Sequence, residues 1–411
     1  MTPATSGRSP PPAFSVWRGR SSPSIPDRWR PALLVTAAVA IGWVGWSGHA
    51  LTLPFAMLFP ALWAWAPNRV TAAAVSMAYF LAASRGLPQG VATFFASDLW
   101  LGLGLWICAS CLFVGVHAAL WVRQPGWTRA LRYLVAAFLM AFPPFGIIGW
   151  AHPVTAAGVL FPGWGWWGLT AAVVMLLVAT TRAWPVMMIV LAGLWLWSAT
   201  NPAKPPAPVG WRGVDLSLGQ NLGREHSLVY QDALATLVRE QATSGAHVVI
   251  LPESALGFWT PTLENLWINA LRDSNVTLLA GAAVLDRHSY DNVMVEISSG
   301  KASVLYRERM PVPVSMWQPW ATWTGAGGGA RASFFANPVV ELAGIRIAPV
   351  ICYEQLIVWP ILQSMWFGAE MIVAAGNGWW TQGSSIVEIQ KASVSAWARL
   401  FAVPLVISFN T

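Results

Sequence analysis

Three polar residues stand where apolar runs end. Glu253 follows Val-Val-Ile-Leu-Pro at 248–252, Cys352 follows Arg-Ile-Ala-Pro-Val-Ile at 346–351, and Asn377 lies in Ala-Ala-Gly-Asn-Gly-Trp-Trp at 374–380. A carboxylate beside a thiol is a workable catalytic pair. The carboxylate takes the thiol proton, the sulfur attacks a carbonyl carbon, and a covalent thioester forms. In such a scheme backbone N–H groups just after the Cys, at the start of a helix, hold the oxyanion. The plainer alternative is a packed strand-end Cys and a turn Glu, and two lone residues do not decide between these.

The segments that must position these residues alternate in type. Val214–Leu218 reads as a strand, 227–243 as an amphipathic helix, His247–Leu251 as an apolar strand and 262–273 as a helix. Strands follow at Val276–Leu285, Asn292–Ile297 and Ser303–Tyr306, with turn signals between them. Ile345–Cys352 reads as a strand, 354–367 as a helix, Met371–Ala375 as a strand, 384–399 as a helix and Phe401–Phe409 as a last strand. Alternation of helices with buried apolar strands indicates a layered α/β domain over 212–411. In such sheets ligands collect beyond the carboxyl ends of the strands, where Glu253, Cys352 and Asn377 stand.

The rest of the chain has another character. Charged residues are 10% and hydrophobic residues 56% of 411, against about 25% charged in a soluble protein. Residues 1–203 hold 11 Arg, no Lys and only the acids Asp27 and Asp98, whereas 204–411 hold 13 basic and 15 acidic residues. The net charge of +7 therefore belongs to the first part. No basic cluster marks a nucleic-acid site in the second, and no nucleic-acid contact is expected. Apolar runs near 31–48, 50–66, 70–84, 93–121, 131–151, 155–180 and 183–199 read as about seven transmembrane helices. Residues 1–30, rich in Pro, Ser and Arg, read as a disordered cytoplasmic tail, and 200–211 as a stiff Pro-rich linker. Ten Arg fall in the tail and in alternate connections, against Arg85 alone in the others. The positive-inside rule then places the N-terminus in the cytoplasm and the α/β domain in the periplasm, at a bacterial inner membrane.

Leu-Pro-Glu-Ser-Ala-Leu (251–256), Ile-Cys-Tyr-Glu (351–354) and Gly-Asn-Gly-Trp-Trp (376–380) resemble the three signature stretches of the nitrilase, or carbon–nitrogen hydrolase, superfamily. Many spans followed by such a domain resemble the apolipoprotein N-acyltransferases, with further likeness at Tyr-Asp-Asn (290–292), Val-Pro-Val (312–314) and Leu-Val-Ile-Ser-Phe-Asn-Thr (405–411). The layout is most similar to a plasmid-encoded branch of that group serving conjugal transfer. The resemblance implies a nitrilase-like αββα sandwich and a Glu–Lys–Cys triad, with Glu253 as general base and Cys352 as nucleophile. Glu354 matches an acid also present in the acyltransferases. The Lys position falls on Glu308, so Arg309, or Arg307, is left to supply the cation. The resemblance further implies a membrane lipid or acylated peptide as substrate and the conjugation machinery as partner. The alternative it leaves is a nitrilase-like scaffold without turnover.

Two further readings complete the sequence. The stretch 310–330, with Trp317, Trp320, Trp323 and the run Gly325–Gly329, is expected to form an aromatic, Gly-hinged lid facing the bilayer. His226, His247 and His288 have no metal-ligand spacing, and no phosphate or dinucleotide fingerprint occurs, so no cofactor is expected. Cys108 and Cys111 lie within an apolar run and read as helix-packing residues.

Overall fold

A computed structural model of the chain describes residues 28–201, 206–221, 227–325 and 327–411. The tail up to residue 27, part of the Pro-rich linker with Lys204, His226, and Ala326 inside the Gly run lie outside the described residues.

The first part is helical: α1 (Arg30–Gly45), α2 (Phe59–Ala64), α3 (Arg69–Ala83), α4 (Leu87–Phe95), α5 (Leu99–Leu120), α6 (Trp127–Ala141), α7 (Ala157–Leu160), α8 (Gly165–Ala179) and α9 (Trp184–Thr200). Among the described residues one helix, α5, is long and apolar enough to cross a membrane. Helices α3 and α4 meet that test only together, bent by 55° at their break. The helices over 30–45, 165–179 and 184–200 are apolar but shorter. Two expected runs differ for local reasons. The run at 93–121 begins only at Leu99, because Ala96 adopts a left-handed backbone and ends α4. The run at 155–180 is cut where Gly163 and Gly165 take positive φ, separating α7 from α8.

The second part holds two sheets. One has the order β1 (Trp211–Gly213), β2 (Val248–Ile250), β3 (Thr277–Leu285), β4 (Tyr290–Ser298) and β5 (Lys301–Arg307), parallel through β3 and antiparallel beyond it. The other runs β6 (Val340–Leu342), β7 (Ile345–Ile351), β8 (Met371–Asn377) and β9 (Leu405–Asn410), with β7, β8 and β9 parallel. One core lies between the sheets, joining Ile250, Leu279 and Met294 to Ile347, Val373 and Val406. A second joins the outer face of the first sheet to α10 (Leu228–Thr243) and α11 (Pro261–Ala270) through Val238, Trp267 and Leu278. A third joins α12 (Val358–Trp366) and α13 (Ile386–Phe401) both to the second sheet and to the first-part helices. These layers make an αββα sandwich whose last helical layer is buried under more helices.

Several elements depart from the sequence expectation. The strand placed at 214–218 forms at 211–213, and Leu216 makes only an isolated bridge to Asn410. The helix expected over 354–367 is a tight turn at Cys352–Gln355 and then α12. Phe401 ends α13 and is not the start of β9, because Ala402 takes a left-handed backbone and stops the helix. Strand β6 was not anticipated, being three residues long and partly exposed.

Candidate active site

Glu253, Asn292, Cys352 and Asn377 are brought together. Glu253 sits just past β2, on a loop laid tightly over β3. A Cβ on Gly281 would lie 2.5 Å from the Glu253 Cα, so only glycine admits this loop. Cys352 follows β7 at the first position of a tight turn, with φ +43°. Such a conformation costs a non-glycine residue roughly 1–3 kcal/mol and persists only where its surroundings hold it. Asn377 ends β8, next in the sheet.

The Glu253 carboxylate is buried and accepts two hydrogen bonds. Asn292 Nδ2 donates to Oε1 at 2.8 Å and the Asn377 N–H donates to Oε2 at 3.1 Å, and the Cys352 thiol is near enough to act on its titration. Burial nonetheless lifts its pKa to about 7, so both protonation states are accessible near neutrality. The Cys352 thiol is pushed well up by burial and by the neighbouring carboxyls of Glu253 and Glu308. At rest the sulfur keeps its proton. Any attack on a carbonyl would need that proton taken by a base, and Glu253 is the carboxyl beside it.

Asn292 is a second link. Its Nδ2 also donates to Glu308 Oε2 at 2.8 Å, so one amide bridges two carboxyls. Glu308 is buried and its Oε1 has no partner among the described residues. Burial first, then Glu253 and Glu354, drive its pKa far above the ordinary carboxyl value. Of the two carboxyls, Glu308 accepts fewer hydrogen bonds, and its burial beside other carboxyls favours its protonated form.

Glu354 and Arg309 do not join the pair. Glu354 accepts from the Tyr306 hydroxyl at 2.8 Å and from the N–H groups of Ile351, Arg309 and Met310 at 2.8, 2.6 and 3.2 Å. It ties the segment after β5 to the turn carrying Cys352 and is a fastening. Arg309, expected to supply the missing cation, is turned away. Its guanidinium donates to the Tyr306 hydroxyl at 3.0 Å, the Pro360 carbonyl at 3.0 Å and Gln363 Oε1 at 3.1 Å, and it lies 3.8 Å from Glu354. A buried Glu354 captures it. Arg307 faces outward to Asp291 at 3.0 Å.

The pair lies in a cavity of about 620 Å3. One wall comes from the first part: Leu87, Val91 and Phe94 on α4, and Leu105, Cys108 and Ala109 on α5. Phe258, Trp379 and Trp380 supply further aromatic lining, together with Val312–Met316. The expected lid is thus only partly realised. Trp317 packs edge-on against Trp320 and Phe334 and lies outside the lining, while Trp323 points to the exterior. Gly328 and Gly329 are pinned by hydrogen bonds to His288 and Tyr290, which suits a fixed rim and not a hinge.

Gln390 escaped the sequence reading, and Asn292 entered it only within the Tyr-Asp-Asn likeness, with no role. Gln390, on α13, is buried, and its Nε2 donates to the Cys352 carbonyl at 2.9 Å and lies 3.6 Å from Sγ. Its signal was a polar residue on the inner face of an amphipathic helix. Asn292 showed a similar signal, an amide inside an apolar strand.

Two relatives share the whole length of the chain. It is 60% identical to "Conjugal transfer protein TraB" of Agrobacterium fabrum, with 99% of each chain covered. It is 58% identical to "Probable conjugal transfer protein TraB" of Sinorhizobium fredii, covering 94% of this chain and 99% of that one. An amidase of Nesterenkonia AN1 from the nitrilase superfamily superposes with a TM-score of 0.37 at 10% identity, covering 51% of this chain and 79% of that one. The carbon-nitrogen hydrolase family profile matches residues 81–399, from the end of α3 into α13. Helices that wall the cavity and sheets that carry the pair are matched together, and the chain belongs to the carbon–nitrogen hydrolase family.

Proposed function

We propose that the chain is an acyl-transferring or amide-cleaving enzyme of conjugative plasmid transfer, working through a thioester on Cys352. The observation that carries this reading is Cys352 and a buried Glu253 lining one cavity, close enough to act on each other's titration, with the apolar helix α5 as a wall. Glu253 accepts the thiol proton as sulfur attacks, then returns it to the departing amine or alcohol. A cavity lined by α4 and α5 suits a membrane-borne substrate, a lipid or an acylated peptide. The conjugation role rests on the two full-length relatives named for conjugal transfer.

The same reading puts 31–199 in the inner membrane as several spans, with 1–30 cytoplasmic, 200–211 as the linker and the sheets over 212–411 periplasmic. It rests on the Arg distribution. The shorter helices of this part require local thinning of the bilayer or snorkelling of flanking residues.

A scaffold without turnover is the rival, and Glu308 at the expected Lys position favours it. One experiment separates them. The full chain in detergent is treated with p-nitrophenyl butyrate and the Cys352 peptide is weighed. An enzyme gives a butyryl adduct that Cys352→Ser abolishes, and Cys352→Ser also lowers conjugation frequency at equal protein level. An unlabelled Cys352 would sink the enzyme reading.

A further inference from the structure

Among the described residues lining the cavity there is no Lys or Arg where the chemistry needs a positive charge. As sulfur attacks, charge passes from the thiol to the carbonyl oxygen. Around that point stand the carboxyls of Glu253 and Glu308, with Glu354 two residues away and Tyr290 on β4 also in the cavity lining. Arg309 and Arg307 are engaged elsewhere. Among the described residues, the side-chain donor that reaches the sulfur is the amide of Gln390, at 3.6 Å, while the Asn377 N–H is given to Glu253.

Gln390 is built into this place. It projects from α13, whose other side is locked against the first-part helices. A Cβ on Gly158 would lie 1.6 Å from the Ala396 carbonyl, and Arg399 donates to Ser198 at 2.8 Å. Its amide makes a firm bond to the Cys352 carbonyl at 2.9 Å, steadying a backbone at φ +43°. The same nitrogen stands 3.6 Å from the sulfur, and Gln390 lines the cavity. A carboxamide nitrogen has two hydrogens. One is committed to the carbonyl, and the other makes only a long contact with sulfur, on a side chain that lines the cavity.

Resting on the thioester reading above, we infer that Gln390 is a catalytic residue whose second N–H supports the sulfur and then the substrate's carbonyl oxygen, replacing the absent cation with an uncharged donor. In the step, the S–H proton passes to Glu253, the S–C bond forms, and the carbonyl π pair moves onto oxygen beside Gln390. Collapse breaks the bond to the amine or alcohol, which takes the proton from Glu253. Gln390 gives up no proton.

The test compares two probes on the full chain in detergent. Iodoacetamide reacts with the thiolate and develops no oxyanion, whereas p-nitrophenyl butyrate requires one. Gln390→Leu should cut acylation of Cys352 by about 10²–10³-fold. Its iodoacetamide profile should shift to higher pH and recover to near the wild-type rate at the alkaline end, where acylation stays low. Gln390→Glu, which keeps the shape but loses the donors when ionised, should behave alike. A purely structural role predicts that both probes fall in parallel at every pH, and that outcome overturns the inference. So does acylation of Gln390→Leu within a few-fold of wild type. If the wild type reacts with iodoacetamide but forms no butyryl adduct, the thioester reading falls and the oxyanion role with it.

Discussion

At the scale of single residues, protons decide the site. Burial raises the Glu253 pKa from 4.5 to about 7, so its base form appears as pH rises through about 7. Alkylation of Cys352 by iodoacetamide should increase across the same range. Glu253→Gln should lower acylation by p-nitrophenyl butyrate about 10²–10⁴-fold, as the loss of a general base does. The same shift sets a stability trend. A carboxyl whose folded pKa lies above its unfolded value contributes stability that is complete below about 4.5 and lost as pH climbs through about 7. Glu308 is shifted in the same direction. Thermal unfolding should therefore show a lower midpoint at pH 8 than at pH 5, and Glu253→Gln should flatten that slope.

At the scale of elements, tight approach and fastening keep the pair together. Gly281→Ala forces a methyl against the Glu253 backbone. It should cost about 1–3 kcal/mol, as overpacking does, and slow Cys352 acylation, measured by denaturant unfolding and nitrophenolate release. Glu354→Ala strands Arg309 with its charge buried and should cost about 3–5 kcal/mol, read from the same unfolding curves. The sequence announced the strands that end at Glu253, Cys352 and Asn377, because apolar runs closed by polar residues survive as local patterns. It did not announce where Arg309 points. That depends on which of two neighbours, the Cys352 pair or Glu354, lies within reach once β5 and β7 are stacked, and no spacing along the chain encodes it. Gln390 was hidden for the same reason, since helix periodicity shows that α13 has an inner face but not what that face touches.

At the scale of the whole molecule, the cavity joins two halves that composition had separated. Leu105 and Ala109 come from α5, the one described helix long and apolar enough to cross a membrane by itself, and Cys352 follows a strand of a largely parallel sheet. Leu105→Trp should fill the wall and discriminate by chain length, leaving p-nitrophenyl butyrate turnover near normal while longer nitrophenyl esters lose about tenfold or more, a difference of roughly 1.4 kcal/mol. Topology is checked separately. With native cysteines removed, a Cys at Lys301 should react with an impermeant maleimide added outside spheroplasts, and a Cys at Arg123 should not. The reverse pattern would invert the proposed orientation. The split in charge between the parts was legible at once, whereas the number of spans was not, because helix length depends on where left-handed residues and glycines interrupt an apolar run.

The residue beside Cys352 reaches across that junction: the Tyr353 hydroxyl donates to the Ile147 carbonyl at 2.5 Å. Cutting the gene at the Pro-rich stretch would thus yield a cup with one side missing and its sulfur-bearing corner untied. Grafting the sheets onto a foreign anchor carries the same penalty, so the two portions should pass from plasmid to plasmid as one indivisible piece.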